Sequence, residues 1–167
     1  MIDKIKVLIV DNSAVVRHLL TAMLSQDPGI AVIGSVPDPI LAMERMNKVW
    51  PDVIVLDVEM PLMGGIAFLK KLMSIRPTPV VVCSTSTEKD TETTLQAISA
   101  GAIGVVAKPK IGLKDFVVNV DGDLLIAVKS AALVDMQQMK AVKLGDVEQV
   151  VPLQTKTGLV FNYGHNQ

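Results

Sequence analysis

The sequence predicts an α/β domain built on a five-stranded parallel sheet that is doubly wound, with helices on both faces. Five short apolar runs alternate along the chain with five segments of helical periodicity, and parallel strands need crossover connections of this kind. The runs are mostly continuous in hydrophobicity, which is typical of strands buried on both faces. With 167 residues, the chain has the length of about one domain.

The predicted strands are bounded by turn residues. The first, IKVLIV at 5–10, stops at Asp11, and the others cover residues 30–36, 53–57, 79–84 and 103–107. In the first predicted helix, at 13–26, Ser13 is a suitable N-cap and the sequence DPG at 27–29 is a stop signal. Further helices are predicted at about 39–49, 65–74, 89–100 and 122–143.

The C-terminal part of the chain has a different pattern. Apolar residues recur at spacings of three and four up to about residue 143, whereas from Gly145 onward neither a helical nor a strand period is clear. We therefore predict one domain over residues 1–135. Residues 136–167 are interpreted as the end of the last helix, a linker and a tail.

Composition excludes several classes of protein. Hydrophobic residues make up 50% of the chain and the mean hydropathy is +0.44, yet no run approaches the ~18 apolar residues of a membrane span. A net charge of -1 and five aromatic residues favour neither nucleic-acid binding nor base stacking. Cys83 is the only cysteine, so an internal disulfide and a cysteine-rich zinc site are excluded. The N-terminus shows no secretory signal, and we expect a cytoplasmic protein without membrane insertion.

Polar residues collect where the predicted strands end. Ligands of open α/β sheets bind beyond the carboxyl ends of the strands. At these ends stand Asp11 and Asn12, Asp57, Ser84 and Lys108. Two carboxylates and an amide oxygen suit Mg²⁺, and an aspartate can accept a phosphoryl group while a metal and a lysine neutralise its charge. We therefore predict a Mg²⁺ site at which Asp57 is the nucleophile.

The segments around these residues resemble the receiver domains of two-component response regulators, which have a flavodoxin-like (βα)5 fold. Within that family the sequence is most similar to the N-terminal receiver of chemotaxis protein-glutamate methylesterases. The resembling segments lie between residue 5 and about residue 135, and they are VLIVDNSAVVR, SVPDPILA, PDVIVLDVEMPLMGGIAFL, RPTPVVVCSTSTEK and GAIGVVAKPK. They imply a switch phosphorylated by a histidine kinase, with a methylesterase effector domain or a chemoreceptor array as the further partner.

The resemblance also implies a role for each site residue. Asp57 corresponds to the phosphoacceptor, and Lys108 and Ser84 correspond to the residues that contact the phosphoryl group. The metal ligands implied are Asp11, Asn12, Asp57 and the main-chain carbonyl of Glu59.

Two positions depart from the receiver pattern. Asn12 stands where receivers usually have a metal-binding aspartate, so we expect weaker metal binding and slower phosphorylation. Val105 replaces the aromatic residue whose rotation usually accompanies activation. Both departures favour an alternative, a phosphorylation-independent pseudo-receiver that serves as a protein docking module.

The catalytic half of a methylesterase is missing from the sequence. No G-x-S-x-G motif is present, and His18 and His165 are the only histidines. We therefore expect no esterase activity from this polypeptide by itself. The only chemistry expected of it is the autocatalytic acceptance of a phosphoryl group. Two interpretations stay open: a receiver fragment with its linker, from which a catalytic domain has been removed, or a naturally shortened protein.

Overall fold

The predicted α/β architecture is confirmed. The structure, a computed structural model, describes residues 3–59, 64–84, 92–108, 122–136, 153–154 and 160–161. Its main sheet consists of β1 (Ile5–Val10), β2 (Ile30–Val36), β3 (Val53–Leu56), β4 (Val80–Ser84) and β5 (Gly104–Ala107). All pairings in this sheet are parallel and the strand order is β2-β1-β3-β4-β5. The order reverses at β1, which makes the sheet doubly wound as expected.

In the described part of the chain, five helices connect and follow the strands, close to where the periodicity predicts them. They are α1 (Ala14–Ser25), α2 (Pro39–Lys48), α3 (Gly65–Ile75), α4 (Glu92–Ala100) and α5 (Gly122–Ala131). Ser13 is the N-cap of α1, as predicted, because its side chain accepts a hydrogen bond from the Val16 N–H at 3.2 Å. The predicted start of the fourth helix, at 89–91, lies outside the described residues.

The sheet separates two hydrophobic clusters. Leu8 and Val10 of β1 face the first cluster, which includes residues of α2, α3 and α4, whereas Val7 and Ile9 face the second cluster, formed with α1 and α5. All four of these side chains are completely buried. Helices on both faces of the sheet therefore explain why the strand sequences are continuously apolar.

The last helix is shorter than predicted. It ends at Ala131, and the following turn is closed by hydrogen bonds from Leu133 N to Ser130 O and from Val134 N to Ala131 O, both 3.1 Å. A single helix over 122–143 is therefore wrong, although residues 137–143 lie outside the described part. Ala132, Val134 and Met136 still pack against the second cluster. The apolar spacing of Ala132 and Val134 therefore reflects burial and not continued helix.

The predicted tail contains a short ladder that the sequence did not reveal. Strand β6 (Leu153–Gln154) pairs antiparallel with β7 (Val160–Phe161). Two residues per strand are too few to produce a recognisable alternation, which explains why the pattern gave no signal. The boundary near residue 135 stays a prediction. Within the described residues no helix is both long and apolar enough to cross a membrane.

Candidate functional site

Four of the predicted site residues meet at the carboxyl ends of neighbouring strands. Asp11 follows β1, Asp57 follows β3, Ser84 ends β4 and Lys108 follows β5. Backbone hydrogen bonds fix this alignment, from Asp57 N to Val10 O at 2.9 Å and from Lys108 N to Ser84 O at 2.9 Å. The parallel register therefore brings residues that are far apart in sequence to one edge of the sheet.

A lysine lies between two buried carboxylates at this edge. Lys108 Nζ is 3.2 Å from Asp11 Oδ2 and 3.2 Å from Asp57 Oδ2. The side chains of Asp11 and Asp57 are only 1% and 2% exposed, and that of Lys108 is 10% exposed. Charges at such depth interact more strongly than charges in water, because less solvent screens them.

The turn after each strand holds the other carboxylate oxygen. Asp11 Oδ1 accepts a hydrogen bond from Ser13 N at 2.8 Å, and Asp57 Oδ1 accepts one from Glu59 N at 2.9 Å. Asp11 Oδ2 is buried and has Lys108 as its ion-pair partner, but it accepts no hydrogen bond of good geometry from the described residues. An under-coordinated buried carboxylate oxygen fits a cation ligand.

The electrostatics of the site show the effects of burial and of the neighbouring charges. Burial is the largest effect on Asp57 and raises the pKa of its carboxyl group, against the opposing effect of the hydrogen bond from Glu59 N. Burial would lower the pKa of Lys108, but the charges of Asp57 and Asp11 outweigh it, and the pKa of Lys108 is raised. Lys108 is therefore a firmly protonated cation beside the Asp57 carboxylate.

The remaining predicted ligands lie at the same edge. Asn12 directly follows Asp11, Glu59 follows Asp57 by two residues, and both are exposed. The described residues contain no cluster of three or more His, Cys, Asp or Glu that suits a metal. A cation would therefore have two carboxylates, supplemented by the Asn12 amide oxygen and the Glu59 main-chain carbonyl. This all-oxygen set fits Mg²⁺, which usually retains several waters.

Two residues that shape the site were missed by the sequence reasoning. A Cβ on Gly65 would lie 2.4 Å from Val58 Cα and 2.6 Å from Asp57 O, so the first turn of α3 packs directly on the backbone of the Asp57 turn. Arg17 donates a hydrogen bond from Nη1 to the main-chain carbonyl of Asp11 at 2.7 Å. A glycine at the start of a helix is a weak signal of such close packing, and the sequence gave none for Arg17.

Comparison with known proteins identifies the fold and the kind of domain. Residues 7–121 match the family described as "Response regulator receiver domain". The response regulator domain of Thermotoga maritima CheB superposes with a TM-score of 0.71 at 36% identity, covering 79% of this chain and 98% of that chain. The resemblance inferred from the motifs is thus confirmed.

Curated relatives agree and are much longer. The chain is 58% identical over 136 residues to protein-glutamate methylesterase/protein-glutamine glutaminase 2 of Shewanella denitrificans, covering 81% of this chain and 39% of that protein. It is 51% identical over 145 residues to the protein of the same name from Albidiferax ferrireducens, covering 87% and 42%. The chain therefore spans about two-fifths of the length of these relatives, in the part that resembles a receiver.

Proposed function

The chain belongs to the response regulator receiver domain family, and we propose that it is a phosphoacceptor switch in which Asp57 receives a phosphoryl group. The phosphodonor is a histidine kinase or a small acyl phosphate. The observation that carries the proposal is the position of Lys108, whose ammonium group contacts the buried carboxylates of both Asp11 and Asp57. A cation held at this place would neutralise the oxygens of a phosphoryl group on Asp57.

The chemistry is a displacement at phosphorus. A carboxylate oxygen of Asp57 forms a bond to the phosphorus atom while the bond between phosphorus and the donor atom breaks. The electron pair of that bond leaves with the donor, and a phosphohistidine donor then takes a proton from water. Lys108 stabilises the charge that is transferred, and the buried Ser84 at the end of β4 is the proposed hydrogen-bonding partner of the phosphoryl group.

Magnesium is the proposed cofactor. The side chains of Asp11, Asn12 and Asp57 and the main-chain carbonyl of Glu59 would hold it. When bound, Mg²⁺ supplies positive charge that neutralises the oxygens of the phosphoryl group. Asn12 contributes no formal charge, so we propose weaker binding than an aspartate at this position would give.

Phosphorylation is proposed to act on a partner. Phosphorylation replaces the single negative charge of the Asp57 carboxylate with the roughly two negative charges of an acyl phosphate, in a pocket where Lys108 supplies one positive charge beside two carboxylates. The names of the relatives suggest a methylesterase effector domain as that partner, in chemotaxis adaptation, with a chemoreceptor array as a further contact. We propose a cytoplasmic location, where such phosphodonors occur, and no esterase activity for this chain by itself.

Intact mass after incubation with acetyl phosphate, with and without Mg²⁺, tests the proposal. We expect a Mg²⁺-dependent gain of one phosphoryl group that Asp57→Asn abolishes. Asp52→Asn is the matched control, because Asp52 is an exposed aspartate at the opposite end of the same strand, where it accepts a hydrogen bond from Lys6 N. Its phosphorylation should equal that of the wild type.

The same experiment distinguishes the alternative function. A folded wild-type chain that gains no phosphoryl group at saturating Mg²⁺ would overturn the phosphoacceptor role. The result would then favour a docking module that works without phosphorylation, as Asn12 and Val105 suggest. In the structure Val105 is half-buried against the first hydrophobic cluster.

A further inference from the structure

Arg17 connects the first helix to the turn that carries the cation ligands. Its Nη1 donates a hydrogen bond to the main-chain carbonyl of Asp11 at 2.7 Å, across six residues of sequence. We propose that Arg17 is a positioning residue of the cation site, which fixes the Asp11–Asn12 peptide and thereby orients both side chains toward the metal. The inference rests on the proposed function, because it assigns a role to a residue beside that same site.

The hydrogen bonds of Asp11 show what Arg17 adds. The Asp11 N–H donates to Val36 O of β2 at 3.0 Å, and its Oδ1 accepts from Ser13 N at 2.8 Å. With the carbonyl held by Arg17, three of its four polar groups are fixed by three different segments of the fold. The fourth, Oδ2, accepts no hydrogen bond from the described residues and lies beside Lys108. Arg17 therefore completes a framework that leaves one carboxylate oxygen available to a cation.

Arg17 is itself held in place by a nearby residue. Its main-chain N–H donates to Ser13 O at 3.0 Å, and Ser13 also caps α1 through Val16 N. Arg17 thus lies in the first turn of α1, which Ser13 caps, and its side chain returns to the carbonyl of Asp11. Loss of the guanidinium group opens this loop and leaves the Asp11 carbonyl without its described partner, so the peptide gains rotational freedom.

Arg17 also adds a positive charge near the site, which opposes cation binding. With Asn12 neutral, the two carboxylates of Asp11 and Asp57 are formally balanced by Lys108 and Arg17. Water and salt screen the repulsion between the half-buried Arg17 and a bound cation. The orientation that Arg17 gives to the Asp11–Asn12 peptide is not weakened by screening. Outer residues that orient metal ligands typically change metal affinity about 10- to 100-fold. We therefore expect orientation to outweigh repulsion.

The test measures Mg²⁺ affinity by isothermal titration calorimetry, independently of phosphorylation. Arg17→Met should weaken binding about tenfold, and Arg17→Lys, which keeps a donor, should restore much of that loss. The matched control is Arg45→Met, because Arg45 makes the same kind of bond from α2 to Ile33 O of β2 at 2.9 Å, away from the strand ends. Its Mg²⁺ affinity should be unchanged, although it too loses a hydrogen bond from an arginine to a strand carbonyl.

Repeating the titrations at about 0.1 M and about 1 M salt separates orientation from charge, since the Debye length falls from about 10 Å to about 3 Å. The loss in Arg17→Met should persist at high salt. The inference would be overturned if Arg17→Met bound Mg²⁺ more tightly than the wild type, or if its loss of Mg²⁺ affinity equalled that of Arg45→Met.

Amide hydrogen exchange of Ser13 provides a second measurement that needs no metal. Its N–H is bonded to Asp11 Oδ1, so Arg17→Met should increase its exchange rate and Arg45→Met should not. If the wild type bound no Mg²⁺, the proposal that Mg²⁺ is the cofactor would be overturned. The Ser13 amide would still decide the positioning role, since equal exchange in both variants would overturn it.

Discussion

A lysine faces a carboxylate at both ends of the sheet, in two different environments. At the carboxyl ends of the strands, Lys108 lies between the buried Asp11 and Asp57. At the amino ends, Lys129 of α5 pairs with Asp27 in the turn before β2. In this more exposed pair, 51% of the Lys129 side chain and 15% of the Asp27 side chain are exposed. Burial raises the pKa of Asp57, whereas the hydrogen bond from Lys129 is the largest effect on Asp27 and lowers its pKa.

The difference shows that burial decides whether a lysine–carboxylate pair stabilises the folded state or lowers its stability. The exposed pair favours the charged form of its aspartate and fastens α5 to the turn after α1. The buried set carries a desolvation cost that its mutual attraction must offset. A costly arrangement of charges at the edge where ligands bind α/β sheets is typical of a functional site.

The strongest test removes the shared cation of the buried set. Lys108→Met would remove the one cation that contacts both buried carboxylates and should lower the free energy of unfolding by about 3 to 5 kcal/mol. Urea denaturation followed by the fluorescence of Trp50, the single tryptophan, measures this. Trp50 donates to Thr78 Oγ1 at 2.9 Å at the amino ends of the strands, so it reports unfolding and not changes in the site.

Lys129→Met is the matched control for that test, since it removes a lysine from the exposed pair. We expect it to cost far less. Equal losses in the two variants would contradict the comparison, because burial would then make no difference.

The second test concerns packing on the Asp57 turn. Gly65→Ala would place a Cβ within 2.6 Å of two backbone atoms, which cannot move without displacing that turn. We expect a loss of about 1 to 3 kcal/mol, typical of overpacking, together with slower phosphorylation. Gly29→Ala is the control at the other end of the sheet, where a Cβ meets only the Asp27 Oδ1 atom at 3.2 Å. Normal phosphorylation in Gly65→Ala would show that the turn tolerates the displacement.

The third test concerns a variant that should be more stable than the wild type, whereas the first two variants should be less stable. Asp57→Asn removes a buried charge while Lys108 keeps Asp11 as its partner, so the variant should be more stable than the wild type by about 0.5 to 2 kcal/mol at neutral pH. Because the pKa of Asp57 is raised on folding, its charge lowers stability as the pH rises above the ordinary value of 3.8, and the cost disappears below that value.

Urea midpoints across this pH range measure the effect. The curves of Asp57→Asn and the wild type should converge in acid, and Asp52→Asn should show no such gain. A less stable Asp57→Asn at neutral pH would mean that the buried carboxylate contributes net stability.

The sequence predicted the parts of this molecule that depend on periodicity and strand order. Continuous apolar runs located the five strands to within a residue or two. Because ligands of open α/β sheets bind beyond the carboxyl ends of the strands, the sequence also predicted that one edge of the sheet carries Asp11, Asp57, Ser84 and Lys108. The rule names residues and not distances. That Lys108 approaches both carboxylates equally depends on the register of β1, β3 and β5 and on side-chain packing.

Other features have no signature in a one-dimensional pattern. The contact of Gly65 with the Asp57 turn depends on how closely α3 approaches the sheet, and the bond from Arg17 depends on a side-chain rotamer. The end of α5 was missed for another reason, because Ala132 and Val134 remain half-buried after the helix stops. Hydrophobic spacing reports which residues face the core, in a helix or in a turn.

The smallest expected effect concerns the pH dependence of the exposed pair. The pKa of Asp27 is lowered by Lys129, so the pair stabilises the fold above the ordinary value of 3.8, and this contribution is lost as the pH falls through the lowered pKa. Lys129→Met should therefore have a slightly lower urea midpoint than the wild type at neutral pH and an equal one in strong acid. This direction is opposite to that of Asp57→Asn, whose gain appears as the pH rises. A constant difference at all pH values would assign the role of Lys129 to the packing of its aliphatic side chain and not to its charge.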